Sequence, residues 1–194
     1  ARVFSIGQAS KENAWNVFVH DVSDRSASYL IMMDGDVQLI NPDSLWLLIS
    51  ELETNPHARI AGGNTVKDIG MKWSLNPLHW LSLATTSLRM TQPGQLCGML
   101  YCGRTVFLRR FRVPEFIVGE DAFLHAMTAT SLFTEPPDQT RFVRVEDATV
   151  MFEAYTTPRS VWKNLKRRQV GYCIKGHVPV FCENCSSTSR CGEP

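Results

Sequence analysis

This 194-residue sequence has no long apolar run and no excess of either charge. No window approaches the roughly eighteen consecutive apolar residues that a membrane-spanning helix needs. The 20 lysines and arginines nearly balance the 19 aspartates and glutamates, so the net charge is +1. A balanced chain gives no argument for a nucleic-acid partner or for a basic membrane-binding face. We therefore expect a soluble domain in which any recognition of phosphate is local.

The six cysteines fall into two groups. Three lie in segments that are predicted to be folded, at Cys97, Cys102 and Cys173. The others follow His177 near the end of the chain, at Cys182, Cys185 and Cys191. Their spacing is compatible with a zinc site of three cysteines and one histidine. A single CxxC is a weak signal, so a flexible Ser-rich tail over residues 177–194 is the simpler interpretation.

An apolar run that ends in two carboxylates is the most informative feature of the sequence. Residues 29–33 read Tyr-Leu-Ile-Met-Met, and Asp34, Gly35 and Asp36 follow. The run predicts a strand covered on both faces, as in a parallel or mixed α/β sheet. Ligands of such sheets bind beyond the carboxyl ends of the strands. Two oxygen donors separated by glycine suit Mg²⁺ or Mn²⁺ that also holds a phosphate.

Two more charged segments lie at predicted helix starts. Lys11 follows Ser10, which is placed to cap a helix. A lysine there opposes the helix dipole, which an anionic partner would explain, although a solvated surface lysine is equally compatible. Glu120 and Asp121 follow Gly119 at the start of another predicted helix. Stabilisation by the dipole would by itself explain these carboxylates.

Other segments predict further elements of an α/β domain. Ala58 to Gly63 predicts a strand that ends in a flexible turn at its two glycines, and residues 142–152 predict one or two strands. A last helix, predicted to begin at Pro158, carries a basic cluster composed of Arg159, Lys163, Lys166, Arg167 and Arg168. This cluster is either a solvated helix face or a group of cations that neutralise a diphosphate leaving group.

Five motifs in a fixed order resemble those of the family 2 glycosyltransferases, inverting nucleotide-sugar enzymes of the GT-A fold. They are Lys11-x-x-Ala14-x-Asn16, Asp34-Gly35-Asp36, a glycine-rich loop at 94–98, Gly119-Glu120-Asp121, and Asn164-x-x-Arg167-Arg168-x-x-Gly171. The resemblance covers roughly residues 3–176. It implies a GT-A-like, Rossmann-like α/β domain over residues 1–176, with a mixed, mostly parallel sheet flanked by helices.

The resemblance also implies a role for each motif. Asp34 would contact the nucleotide or ribose, and Asp36 would hold the Mg²⁺ or Mn²⁺ that bridges the diphosphate. Asp121 would be the general base that deprotonates the acceptor hydroxyl, with Glu120 supporting it. The remaining implied contacts are to the donor, through Lys11, Asn16, Asp34, Arg167 and Arg168, and to the acceptor, through Gly94, Gln95, Cys97 and Gly98.

The implied donor is a nucleoside-diphosphate sugar, with a UDP-sugar favoured, and the acceptor is a saccharide, a lipid-linked group or another hydroxyl compound. The processive synthases of this family carry QxxRW near the last helix. The aligned positions here are Asn164, Arg167 and Arg168. The missing Gln and Trp favour transfer of one or a few sugars.

The family normally begins with strand and helix units upstream of the segment matched by Lys11. We therefore expect a partial domain that lacks the N-terminal part of the nucleotide-binding half, so that this chain alone binds its donor poorly and could be an inactive fragment. The location implied is the cytoplasm, at the inner face of the membrane if parts outside this chain provide an anchor. Two alternatives stay open: a HAD-type phosphohydrolase that uses Asp34 and Asp36, and an inactive sugar-binding or scaffold module.

Overall fold

The computed structural model describes residues 3–68, 96, 98–115, 117 and 119–153, and the single positions 157, 159 and 162. Several predicted features lie outside these residues. They are the acceptor residues Gly94, Gln95 and Cys97, the donor residues Arg167 and Arg168, and the tail at 177–194 with its alternative zinc site.

The described chain alternates helices and strands. The helices are α1 (Lys11–Val17), α2 (Ser44–Thr54), α3 (Thr105–Leu108) and α4 (Glu120–Ala129). The strands are β1 (Tyr29–Met33), β2 (Val37–Leu39), β3 (Ile60–Lys67), β4 (Leu100–Arg104) and β5 (Phe142–Phe152). A π-helical segment, Phe18–Val22, continues α1, and a 3-10 turn, Gln139–Arg141, precedes β5. The strand predicted at residues 29–33 and the helix predicted to start at Glu120 are both confirmed.

The described strands form one mixed sheet in the order β1-β4-β3-β5-β2. β4 runs antiparallel to β1 and β3, and β2 runs antiparallel to β5, whereas β3 and β5 are parallel. The prediction of a mixed α/β sheet flanked by helices is confirmed, but the prediction that it is mostly parallel is wrong for these strands. An apolar strand sequence indicates that both faces of the strand are covered, but it does not indicate whether the neighbouring strands are parallel or antiparallel to it.

Buried side chains pack on both faces of the sheet. Tyr101 of β4 belongs to a cluster with Trp15 of α1 and Leu124 of α4. Its neighbours in the strand, Leu100 and Cys102, belong to a second cluster that includes Leu48 and Leu52 of α2. This division follows from the two-residue period of a strand. The helices therefore cover the sheet from both sides.

The strand that includes Gly62 and Gly63 does not end in a turn as predicted. β3 continues through both glycines to Lys67, and its pairing with β5 shifts register between Gly62 and Asn64. The glycines therefore lie at a β-bulge inside the sheet.

None of the described helices is both long enough and apolar enough to cross a membrane.

Candidate functional site

The ammonium of Lys11 joins two of the predicted acidic motifs. Its Nζ atom lies 2.8 Å from Asp34 Oδ1 and 2.6 Å from Glu120 Oε1. The Glu120 side chain is only 5% exposed, whereas the Lys11 side chain is 40% exposed. The ion pairs therefore lie at the boundary between the core and the solvent, with Glu120 on the inner side.

Each of these side chains is held by its own local structure. Ser10 Oγ accepts a hydrogen bond from the Asn13 N–H at 2.9 Å, which fixes the helix start that carries Lys11. The Asp34 N–H donates to the Met99 carbonyl at 2.9 Å, just beyond the pairing of β1 with β4. Gly119 has the left-handed φ of 98°, a conformation that favours glycine, and turns the chain directly into α4.

Glu120 and Asp121 both lie in the first turn of α4, where the helix dipole stabilises them, but the Glu120 carboxylate also binds Lys11. Glu120 therefore forms a contact between two segments that are far apart in the sequence. Burial lowers the pKa of Lys11, but the charges and hydrogen bonds of Glu120 and Asp34 outweigh that effect, so the pKa lies above its ordinary value. Lys11 is thus a stable cation between two carboxylates.

Asp121 meets the described end of the predicted acceptor loop. A Cβ atom added to Gly98 would lie 3.1 Å from Asp121 Cβ and 3.9 Å from Asp121 Oδ2. Lys11 Nζ also lies 3.5 Å from the Gly98 carbonyl oxygen, so Gly98 lies beside both Lys11 and Asp121. Asp121 Oδ1 accepts a hydrogen bond from the Ala122 N–H at 2.8 Å. Within the described residues, Oδ2 has no hydrogen-bond partner.

Asp36 lies on the exposed turn between β1 and β2. Its carboxylate makes no hydrogen bond or ion pair with another described residue. A Cβ atom on Gly35 would meet nothing within 4 Å, so the space beside this turn is open. The described residues contain no group of three or more His, Cys, Asp and Glu side chains that could hold a metal ion. Two carboxylates with open space still fit Mg²⁺ or Mn²⁺, because Mg²⁺ commonly takes its other ligands from phosphate and water.

Asn16 does not face this group. Its side chain is buried, with its amide nitrogen donating to the Val113 carbonyl at 2.7 Å and its oxygen accepting from the Val113 N–H at 2.9 Å. Both ends of the amide are therefore engaged with the backbone of another segment. This arrangement gives Asn16 a structural role that its position in the motif does not reveal.

A buried hydrogen bond beneath the site was missed by the sequence analysis. Trp15 Nε1 donates to the Tyr101 hydroxyl at 2.8 Å, and both side chains belong to the core. Burial raises the pKa of Tyr101, so its phenol is neutral. Trp15 lies one helical turn after Lys11, and residues spaced in this way lie on the same helix face. The bond therefore fixes the face of α1 that presents Lys11.

We expect Tyr101→Phe to lower the free energy of unfolding by about 1–2 kcal/mol, because the buried indole N–H loses its acceptor while the ring still packs. Urea unfolding followed by tryptophan fluorescence measures the change. Tyr29→Phe is the matched control, since the Tyr29 hydroxyl makes only a 3.5 Å contact with Arg104. Equal stability of the two variants would show that the buried bond contributes nothing.

No family model matches this sequence, and no curated protein matches it.

Proposed function

We propose that this chain is part of the catalytic domain of an inverting glycosyltransferase with a GT-A-like fold. The donor is a nucleoside-diphosphate sugar, with a UDP-sugar favoured, and the acceptor is a hydroxyl of a saccharide, a lipid-linked group or a related compound. The observation that carries the proposal is that Lys11 contacts both Asp34 and Glu120, which belong to two different acidic motifs of the sequence.

In the proposed reaction the acceptor oxygen attacks the anomeric carbon as the bond to the diphosphate breaks. The acceptor proton passes to Asp121, and the bonding electrons leave on the diphosphate oxygen. Asp121 suits this role because the Ala122 N–H binds its Oδ1 and orients the carboxylate. Its Oδ2 is then available as the general base. Gly98 beside it leaves room for the acceptor.

Asp34 and Asp36 are the residues that would hold Mg²⁺ or Mn²⁺. The ion, when bound, supplies positive charge that stabilises the departing diphosphate. Lys11 and the basic residues Arg167 and Arg168 are proposed to bind the same anionic group. Transfer of one or a few sugars is favoured, as is a cytoplasmic site of action, where nucleotide sugars are made in bacteria.

The proposal is tested by titrating Mn²⁺ into the protein with and without UDP and measuring free Mn²⁺ by electron paramagnetic resonance. We expect UDP to strengthen Mn²⁺ binding. We expect Asp36→Asn to weaken Mn²⁺ binding in the presence of UDP by about tenfold or more, since a neutral amide is a poor ligand for a hard cation.

Asp43→Asn is the matched control, because Asp43 is also exposed and its side chain makes no capping hydrogen bond. It should bind Mn²⁺ as the unaltered protein does. The metal-diphosphate role of Asp36 fails if the two variants bind Mn²⁺ and UDP equally well.

A further inference from the structure

Lys11 holds one of the carboxylates that the proposed metal site needs. Its ammonium contacts Asp34 at 2.8 Å and remains bound to Glu120 at 2.6 Å. A divalent cation at Asp34 would share that carboxylate with a positive charge, and in a partly buried site the two cations repel each other strongly. The contact of Lys11 with Asp34 therefore competes with metal binding.

We propose that Lys11 is an internal counter-ion that makes binding of the divalent cation depend on the nucleotide diphosphate. Before the donor binds, the ammonium neutralises Asp34 and keeps its affinity for the cation low. When the donor binds, its diphosphate attracts the ammonium away from Asp34, and the freed carboxylate accepts the cation. This inference rests on the proposed function and adds a reason for Lys11 beyond contact with the donor.

Two features of Lys11 support such an exchange. The side chain is 40% exposed, and its four-carbon stem is flexible, so the ammonium can change partners without movement of α1. Glu120 is nearly buried, and Lys11 is its ion-pair partner among the described residues. The energetic need to keep a positive charge beside Glu120 limits the movement, since a buried carboxylate without a partner is costly. The lysine is thus expected to release Asp34 first and to stay near Glu120.

The experiment measures Mn²⁺ binding without nucleotide and then with UDP, in the unaltered protein and in Lys11→Met. Without UDP, we expect Lys11→Met to bind Mn²⁺ about tenfold more tightly than the unaltered protein, since the competing charge is absent. The factor by which UDP strengthens Mn²⁺ binding should be smaller in the variant. Equal or weaker binding by Lys11→Met without UDP overturns the inference.

A second variant tests whether tighter Mn²⁺ binding comes from the release of Asp34 or from the change in net charge. It also avoids misfolding caused by an unpaired Glu120. Lys11→Met combined with Glu120→Gln removes one charge of each sign, so the net charge is unchanged and no buried carboxylate loses its partner. This variant should still bind Mn²⁺ more tightly than the unaltered protein without UDP, and a failure to do so overturns the inference.

The outcomes also distinguish this inference from the proposed function. If UDP strengthens Mn²⁺ binding equally in the unaltered protein and in both variants, the counter-ion role is wrong and the glycosyltransferase proposal stands. If none of the proteins binds Mn²⁺ even with UDP, both are overturned.

Discussion

Asp121→Asn is expected to lower the rate of sugar transfer by about a thousandfold, within the range that general-base catalysis contributes. The amide has the shape of the carboxylate, and its oxygen can still accept the hydrogen bond that the Ala122 N–H gives to Asp121 at 2.8 Å. The fold and the start of α4 are therefore preserved. What the amide cannot do is accept the proton of the attacking hydroxyl.

Release of UDP from UDP-glucose and UDP-N-acetylglucosamine, measured with Mn²⁺ and a panel of saccharide acceptors, follows the reaction. Asp147→Asn is the matched control, because Asp147 is an exposed aspartate on β5 and Asn41 bonds its backbone carbonyl. It should retain the full rate. If Asp121→Asn retains more than about a tenth of the rate, another group takes the proton.

A binding measurement makes the result specific to chemistry. We expect Asp121→Asn to bind UDP and Mn²⁺ as the unaltered protein does, because Asp34 and Asp36 are intact. A loss of both binding and rate would point instead to a disturbed site. Gly98→Ala would disturb the same contact from the other side, because the added Cβ would lie 3.1 Å from Asp121 Cβ.

Local signals in the sequence predicted the beginnings of elements well. Ser10 caps α1, and α4 begins at Glu120, because a cap depends only on residues within a few positions of it. The apolar run before Asp34 likewise predicts β1, whose two faces contact different core clusters. These predictions depend on hydrogen bonding and burial over a single turn or strand.

Contacts between distant segments were beyond the local sequence. The direction of strands beside β1 depends on which segments pair with it, and the apolar residues of β1 fit either direction. The partner of Lys11 was equally open, because a surface lysine and a lysine bound to two carboxylates have the same local pattern. Only the order of the motifs predicted a common site, and the structure brings Lys11, Asp34, Gly98, Glu120 and Asp121 into contact.

Residue type alone also failed for polar and aromatic positions in the core. Asn16 belongs to a motif associated with the donor, yet its amide pairs with the backbone of Val113. Trp15 and Tyr101 fit an apolar core without any indication that they bond each other. An amide or an indole can meet several partners, and the tertiary structure chooses among them.

The two glycines of β3 give the second large expected effect. Their pair predicted a flexible turn, since glycine permits conformations that other residues avoid. In the structure, glycine is required at position 63 because there is no space for a side chain. A Cβ atom on Gly63 would lie 2.6 Å from the Ala148 carbonyl oxygen and 2.9 Å from Leu100 Cδ2. The backbone of β5 and a buried leucine therefore occupy the place of a side chain.

We expect Gly63→Ala to lower the free energy of unfolding by about 3 kcal/mol, at the upper end of what overpacking costs. The carbonyl is part of the backbone next to the bulge, so relief requires β3 and β5 to separate or the bulge to shift. Urea unfolding followed by far-ultraviolet circular dichroism measures the loss. Gly7→Ala is the control, since a Cβ there meets nothing within 4 Å and should change stability by less than about 0.5 kcal/mol.

The comparison distinguishes the two explanations of the glycine. If Gly63 serves flexibility alone, Gly63→Ala and Gly7→Ala will have nearly equal unfolding midpoints. If close approach of β5 requires it, only Gly63→Ala will be destabilised. Because β3 and β5 form the parallel pair of the described sheet, the loss should reach residues on both sides of the bulge. Faster hydrogen exchange at Ala61 and Val143 before the bulge, and at Thr65 and Val150 after it, would then accompany the lower stability.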